Sequence, residues 1–512
     1  MTASDAPALG RDAAYARAAL WLTLALTLAR IFALFATPLE LHPDEAQYWL
    51  WSRELAFGYY SKPPLIAWAI WATTQVGGDA EPWVRLSAAL FHAAATLAVF
   101  ALGRRLYDSA TGFWAAVLYA LMPGVQLSSL VIATDAPLLM FYALALLAYA
   151  RFLEHGGWRP AAATGLAIGA AFLAKYAAVY ALVGLALHWA VSPDARIRWT
   201  LPAALAAAAA FAVVLAPNLV WNLQHGFATV QHTAANAGWE GRLFNLDNLG
   251  EFLASQFGVF GPLPFAVLIG GAGLLAVRRR LQPADVMLLC FVLPPLLIVA
   301  AQAFINRANA NWSGAGYVAG AVLVAAWLTR WRARRWLIAN GAFQAGLAAL
   351  FLIMVVSPPL ADRIGAGNSF KRAKGWEAMT QSLIARVRQE PGLTAVAVDD
   401  RFLFNAAAYY GRRAWAEPGF PPLVMWVREI HPLNQAETER PLTPANGGRV
   451  LAASLVDAFR AEFKADFART FGPEIVSITL DRNLRKRRME LFVGEGFAPR
   501  PRDPASGLPT PP

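Results

Sequence analysis

Runs of about twenty apolar residues, separated by short polar loops, dominate the chain as far as residue 357. Wound as a helix at 1.5 Å per residue, such a run covers the ~30 Å hydrocarbon layer of a bilayer. The first, AALWLTLALTLARIFALFATPL (18–39), is too long for a signal-peptide core and has no clear small-residue cleavage site after it. It predicts a retained helix. Later runs predict helices near 83–103, 112–132, 137–153, 200–217, 253–277, 284–303, 312–329 and 337–357, with two short crossings or a broken hairpin within 161–190. The sum is about eleven crossings, within a range of roughly 10 to 13. LIAWAIWATTQVGG (65–78) is too short for a normal crossing, and its Trp68 and Trp71 favour the headgroup region. It reads as an interfacial helix or as part of a membrane hairpin.

Beyond residue 357 the pattern changes. TAVAVDD (394–400), PLVMWVRE (422–429), RVLAASL (449–455) and PEIVSITL (473–480) have the length and β-branched content of strands. RFLFNAAAYYGR (401–412) and LVDAFRAEFKADF (455–467) between them show helical spacing. The chain thus predicts an α-helical polytopic membrane protein, transmembrane over 1–357, with a small α/β domain over 358–500 and a disordered tail over 501–512.

Charge orients this arrangement. Arginine clusters at 104–105, 196–198, 278–280 and 330–335 all fall on one side of the threading, which the positive-inside rule makes cytoplasmic together with the N-terminus. The C-terminal domain then lies outside, in the periplasm of a bacterial inner membrane. A net charge of +11 would point to nucleic acid in a soluble chain, but with 57% hydrophobic residues and 15% charged ones the basic excess marks orientation instead. The single cysteine, Cys290, excludes an intrachain disulfide. Membrane lipids are expected partners, nucleic acid is not, and the chain is expected to be monomeric.

Charged side chains in so apolar a chain call for explanation. HPDEAQYWLWSRELAFGYYSKPPLI (42–66) places His42, Asp44, Glu45 and Lys62 just after the first helix, on the outer side. Only two lysines, Lys62 and Lys175, precede residue 370, and both fall at the outer face. A lysine at the mouth of a helix bundle is a compact cation suited to a phosphate, although snorkelling at the interface is the rival account. Tyr59 and Tyr60 flank Lys62, and the Pro63–Pro64 pair stiffens the turn after it. Asp44 suits the N-cap of a short helix, with Gln47 completing a capping box. Asp135, in ATDAPLL, is a second carboxylate at a membrane entrance, where acids are uncommon. NRANANWSGAGY (306–317) offers Arg307 to phosphate and Asn311 or Trp312 to a sugar, with helix capping and interface anchoring as rivals. A protonated His42 would also meet a phosphate. His225 and His232 lack a diagnostic ligand spacing, so a metal site is unknown.

Two outer carboxylates and two outer lysines suit group transfer from a phosphate carrier: one acid takes a proton from an attacking hydroxyl while cations meet the charge developing on the leaving phosphate. For a sugar, a single displacement inverts the anomeric carbon.

HPDEAQYWLWSRELAFGYYSKPPL, ATDAPLL, FLAKY and NANWSGAGY, in that order, resemble the membrane glycosyltransferases of the protein-mannosyltransferase and aminoarabinose-transferase superfamily, which have the GT-C fold. The resemblance covers about residues 15–355 in topology. It implies a polyprenyl-phosphate-linked sugar donor used at the periplasmic face. It makes Asp44 the essential acid with Glu45 its partner, Lys62 a ligand of the carrier phosphate, Asp135 a supporting or acceptor-orienting acid, and Lys175 a second basic residue. Some relatives carry a divalent metal near the donor. No lumenal sugar-binding insertion is visible, which points to an envelope glycolipid acceptor, lipid A or lipopolysaccharide core. Protein glycosylation or glycan ligation from the same carrier is the alternative, and transport of a lipid-linked sugar a further one.

Overall fold

The computed structural model describes residues 6–235, 244–481 and 483–510. Residues 236–243 of the expected outer loop, Arg482 of a basic stretch and the last two residues of the tail lie outside the described residues. The chain forms two compact units, one of Met1–Ala36, Ala56–Gly58 and Lys62–Ile353, the other of Thr37–Leu55, Tyr59–Ser61 and Met354–Pro512.

The first unit is helical. Six helices of the described residues are long and apolar enough to cross a membrane: Gly10–Ala36, Glu81–Leu106, Asp135–His155, Leu201–Gln224, Pro283–Ile305 and Arg334–Val356. Ser109–Leu121, Tyr176–Val191 and Gly316–Arg330 are shorter apolar helices. In lipid, apolar area gives helices little reason to associate, so close packing has to hold them together. A Cβ added to Gly103 would stand 2.8 Å from the Cα of Gly112, and the glycine pair therefore lets Glu81–Leu106 and Ser109–Leu121 approach to backbone contact.

Two expected helices are interrupted at proline or glycine, and the run at 161–190, expected as two short crossings or a broken hairpin, is broken in two. The run at 112–132 ends at Leu121, because Pro123 starts a separate short helix, Pro123–Ser128. The single helix expected over 253–277 is two, Leu246–Val259 and Pro262–Val277, bent by 116°. Gly261 takes φ +107 there and Pro262 has no N–H to donate. The run at 161–190 breaks at Lys175, extended at φ −163 and ψ 135, between Trp158–Ala174 and a 3₁₀ turn, Tyr176–Ala178, that leads into Val179–Val191.

The second unit is built on a five-stranded sheet of order β2-β1-β3-β5-β4, with β1 Ala395–Val398, β2 Leu423–Met425, β3 Arg449–Ser454, β4 Phe467–Thr479 and β5 Lys486–Phe497. β1 pairs in parallel with β2 and β3, and β5 runs antiparallel to β3 and β4. Side chains alternate across β1: Val396 and Val398 join Trp376, Leu383, Leu403 and Phe404 on one face, while Ala395 and Ala397 join Trp426, Phe463 and Phe492 on the other. Burial on both faces explains why this strand reads as a continuous apolar run.

The C-terminal tail departs from the expectation of disorder. Asp466, fully buried, accepts from Trp426 Nε1 (2.9 Å), Arg500 Nε (3.0 Å) and Arg502 Nη2 (3.0 Å), so the chain is tied down through Arg502. A buried carboxylate would be costly alone, and two guanidiniums compensate it.

Candidate active site

Within the second unit the opening segment is organised by the helix Pro43–Trp51. Its N-cap is His42 rather than Asp44, because Pro43, with φ fixed and no N–H, takes the first helical position. His42 Nδ1 accepts the backbone N–H of Asp44 (3.2 Å), and the Glu45 carboxylate accepts the N–H of His42 (2.8 Å), closing the capping box. The capping role expected of Asp44 and Gln47 thus belongs to His42 and Glu45. Burial pushes the pKa of His42 down, against the opposing pull of the Asp44 and Glu45 carboxylates. A protonated His42 is therefore disfavoured, because its Nδ1 already serves as an acceptor.

Displacement from the cap leaves Asp44 for other work. Its carboxylate stands 3.4 Å from Arg401 Nη1 and 3.6 Å from His42 Nδ1, at or past the edge of hydrogen bonding, and its side chain is 38% exposed. Glu45, by contrast, is fully buried. Arg401 opens the helix Arg401–Tyr410, which Asp400 caps by accepting from the N–H groups of Phe402 and Leu403. Its guanidinium lies over the Phe402 ring (4.6 Å) and also donates to Gln47 Oε1 (3.1 Å). Tyr59 and Tyr60 have spent their hydroxyls: Tyr59 donates to the carbonyls of Trp51 and Glu54 (3.0 Å each), and Tyr60 to that of Pro432 (2.6 Å).

The first unit carries the other candidates. Lys62 is half-buried ahead of Pro63 and Pro64 at the entry to the helix Leu65–Gly77. Asp135 begins the helix Asp135–His155, and its Oδ1 accepts from Lys175 Nζ at 2.9 Å, a pair in which each side chain is 19% exposed. The break in the helical run at Lys175 brings this about. Asn311 Nδ2 donates to Asp135 Oδ2 at 3.3 Å. Trp312 packs near Phe252, Val299 and Ala303, and Arg307 is exposed.

Sequence reasoning missed the residues that hold these groups. Gln256, buried, accepts from both Ser313 Oγ (2.9 Å) and Tyr317 Oη (2.6 Å) and donates to the Ala310 carbonyl (3.2 Å). It thereby fixes the turn Ala310–Ser313 from which Asn311 reaches Asp135. Tyr176, next to Lys175, donates to Asn218 Oδ1 (2.9 Å), whose amide holds the Phe57 carbonyl (2.6 Å). An uncharged amide inside an apolar run was the available signal. Among the described residues, no group of three or more His, Cys, Asp or Glu side chains is arranged to hold a metal ion.

Comparison with known proteins agrees with this architecture. Residues 61–221, which include Lys62, Asp135 and Lys175, match the family model described as dolichyl-phosphate-mannose-protein mannosyltransferase. The lipid A galacturonosyltransferase RgtD of Rhizobium johnstonii is 40% identical over 313 residues, which are 61% of this chain and 65% of that protein. The chain thus aligns with a little under two thirds of its curated relative. Crystal structures of ArnT from Cupriavidus metallidurans, in the apo state and bound to undecaprenyl phosphate, superpose with TM-scores of 0.61 and 0.60 at 16% identity, covering 92% of this chain and 97% of theirs. The chain therefore has the GT-C architecture of these polytopic membrane proteins, and it is similar in sequence to RgtD and, over residues 61–221, to the protein-mannosyltransferase family model.

Proposed function

We propose that the protein is an inverting glycosyltransferase that moves a sugar from a polyprenyl-phosphate carrier to an envelope glycolipid, lipid A or lipopolysaccharide core, at the periplasmic face of a bacterial inner membrane. The observation that carries this reading is the Asp44 carboxylate, set on a capped helix start, partly exposed and without a short hydrogen bond. A base must have both a fixed direction and a free lone pair. In this scheme Asp44 takes the proton of an acceptor hydroxyl as its oxygen attacks the anomeric carbon. The new C–O bond forms opposite the breaking one, and the carrier phosphate leaves with the electron pair. Lys62 meets the charge that develops on the phosphate, where a cation lowers the barrier most. Arg307 is a second phosphate contact. Asp135, oriented by Lys175 and Asn311, supports the acceptor. Glu45 acts through the helix start it caps, its carboxylate accepting the His42 N–H. The name of the RgtD relative makes a uronic acid on lipid A the first donor and acceptor to try. In this reading the N-terminus lies in the cytoplasm, the second unit in the periplasm, and the working form is a monomer.

A second reading, transfer to a protein, draws on the mannosyltransferase family model over residues 61–221. Purified full-length protein given polyprenyl-phosphate sugars, lipid A and envelope proteins separates the two. Mass spectrometry is expected to find a single added sugar on lipid A, with inverted configuration. A sugar on protein would support the second reading, and labelled carrier crossing vesicles with no new glycosidic bond would leave both without support.

A further inference from the structure

Three helices of the first unit form a groove that the proposed reaction does not use. Trp158–Ala174 supplies its floor, with Thr164, Gly165 and Ile168 buried, while Val179–Val191 and Leu201–Gln224 supply its walls. The groove holds about 470 Å3, within the usual range for a ligand site. It is open to the surface, since Leu182, Ala186 and Trp189 on one wall and Ala208 on the other are exposed. Leu182 to Trp189 and Ala204 to Phe211 are each seven residue steps, so it runs about 10 Å along the helices. Leu201–Gln224 is one of the helices long and apolar enough to cross a membrane, and the open side therefore faces hydrocarbon.

The walls and the rim differ in chemistry. Thr164 donates its hydroxyl to the Pro160 carbonyl (2.9 Å), which leaves alkyl groups, the Phe211 ring and two indoles to meet an occupant. Such walls suit a hydrocarbon chain and offer nothing to a sugar or a nucleotide. Trp189 and Trp199 mark one end of the groove, and indoles favour the headgroup level of a bilayer. Cations gather at that end. Arg196 donates to the Ala190 carbonyl at 2.9 Å, which sets its guanidinium beside Trp189. Arg198 directly precedes Trp199, whose ring is held against Phe152 with centroids 4.5 Å apart. A Cβ added to Gly156 would stand 3.3 Å from Arg198 Nη1, so the turn leading to Arg159 borders the same rim. Arg159, Arg196 and Arg198 are all exposed. Of the two acids nearby, Glu154 is paired with Arg105 at 2.6 Å, and Asp194 alone offsets the three arginines.

An apolar groove under a cationic rim at headgroup level is complementary to a lipid with an anionic head. The sugar carrier is such a lipid, but its phosphate belongs elsewhere. Asp135 opens and His155 closes one helix of 21 residues, about 30 Å long, and the Asp135–Lys175 pair lies at the end away from Arg198. A phosphate poised for transfer therefore does not reach this rim. We infer that the groove holds an acyl chain of an anionic glycerophospholipid, with its phosphate on Arg196 and Arg198, from the leaflet that the positive-inside bias makes cytoplasmic. The inference needs the membrane fold alone and stands apart from turnover.

Two experiments on the full-length protein test it. In native mass spectrometry, phosphatidylglycerol should be retained about tenfold more tightly than phosphatidylethanolamine, the size of one charge-assisted hydrogen bond. Arg196→Gln/Arg198→Gln is expected to erase that preference, and Ala208→Trp, which fills the groove from its exposed wall, to remove the bound lipid. Equal retention of the two lipids by wild type, or phosphatidylglycerol binding unchanged in either variant, overturns the inference. Undecaprenyl phosphate that displaces phosphatidylglycerol at equal concentration overturns it as well, by assigning the groove to the carrier. Tryptophan quenching in phosphatidylcholine vesicles needs no substitution and so decides the matter even if a variant fails to fold. Brominated phosphatidylglycerol is expected to quench wild type more than brominated phosphatidylcholine does, with the excess saturating at low mole fraction; equal quenching by the two would leave no selective site.

Discussion

Asp44 and Asp135 look alike in sequence, each an acid within two positions of a proline at the start of a helix, yet the structure treats them differently. Asp135 has a lysine at 2.9 Å and an amide at 3.3 Å, and its side chain is 19% exposed. Asp44 has the Arg401 guanidinium at 3.4 Å, the neutral His42 ring at 3.6 Å and twice the exposure, because His42 and Glu45 have taken over the capping that would otherwise occupy it. An acid paired with a close ammonium is held in a fixed direction with its charge balanced. One left loose on a rigid helix start keeps lone pairs open to solvent. The same local motif therefore yields two environments, and the neighbours decide which.

The sharpest way to break this comparison is to remove charge from each acid in turn. Asp44→Asn keeps the shape of the helix start, and we expect transfer to fall by about a thousandfold or more, within the range for loss of a general base, with donor binding and thermal stability unchanged. Steady-state assays beside melting curves decide it. Activity within tenfold of wild type would remove Asp44 as the base and dissolve the contrast.

A smaller effect tests the other side. Lys175→Met leaves Asp135 charged and without its ammonium in a largely buried site. We expect a loss of about 1–3 kcal/mol, below the 3–5 typical of a fully buried pair because both side chains keep some exposure. The double variant Asp135→Asn/Lys175→Met should recover part of that loss, since no orphan charge remains. Thermal unfolding in detergent reads both. If the single and double variants are equally stable, the pair is not what holds Asp135, and the two acids are less different than their geometry suggests.

How far this was legible from sequence depends on the range of the interactions. Apolar runs located the helices of the first unit, and β-branched stretches located β1, β2, β3 and the later part of β4, because both signals are local. The breaks at Pro123 and Gly261 were readable in principle, since proline and glycine stood inside the runs, but hydropathy alone passes straight across them. β5 was hidden because its first third, Lys486–Met489, reads as a basic solvated stretch; pairing with β4 makes it a strand, and Arg487 lies over the Trp376 ring at 3.5 Å. The motif acids and lysines stood out by their rarity. Arg401 and Gln256 did not, for each earns its meaning from partners far along the chain: Arg401 lies 357 positions from Asp44, and Gln256 lies 61 from Tyr317.

The smallest expected effect concerns the cap that sets Asp44 free. The folded pKa of His42 lies below its ordinary value of 6.5, chiefly through burial, with Asp44 and Glu45 opposing and Arg372 and Arg401 adding to the shift. Below that ordinary value the unfolded chain takes up a proton that the folded chain resists. The contribution of neutral His42 to stability is thus full above about pH 6.5 and is lost as pH falls toward the folded value. Asn is as good a helix cap and does not titrate. His42→Asn should therefore match wild type within about 1 kcal/mol at pH 7.5 and lose less stability than wild type between pH 7 and 5, with Asp399, whose burial pushes it up to about 6, titrating alike in both proteins. Parallel stability profiles would mean that His42 does not hold the helix start as a neutral acceptor, and the looseness of Asp44 would then need another cause.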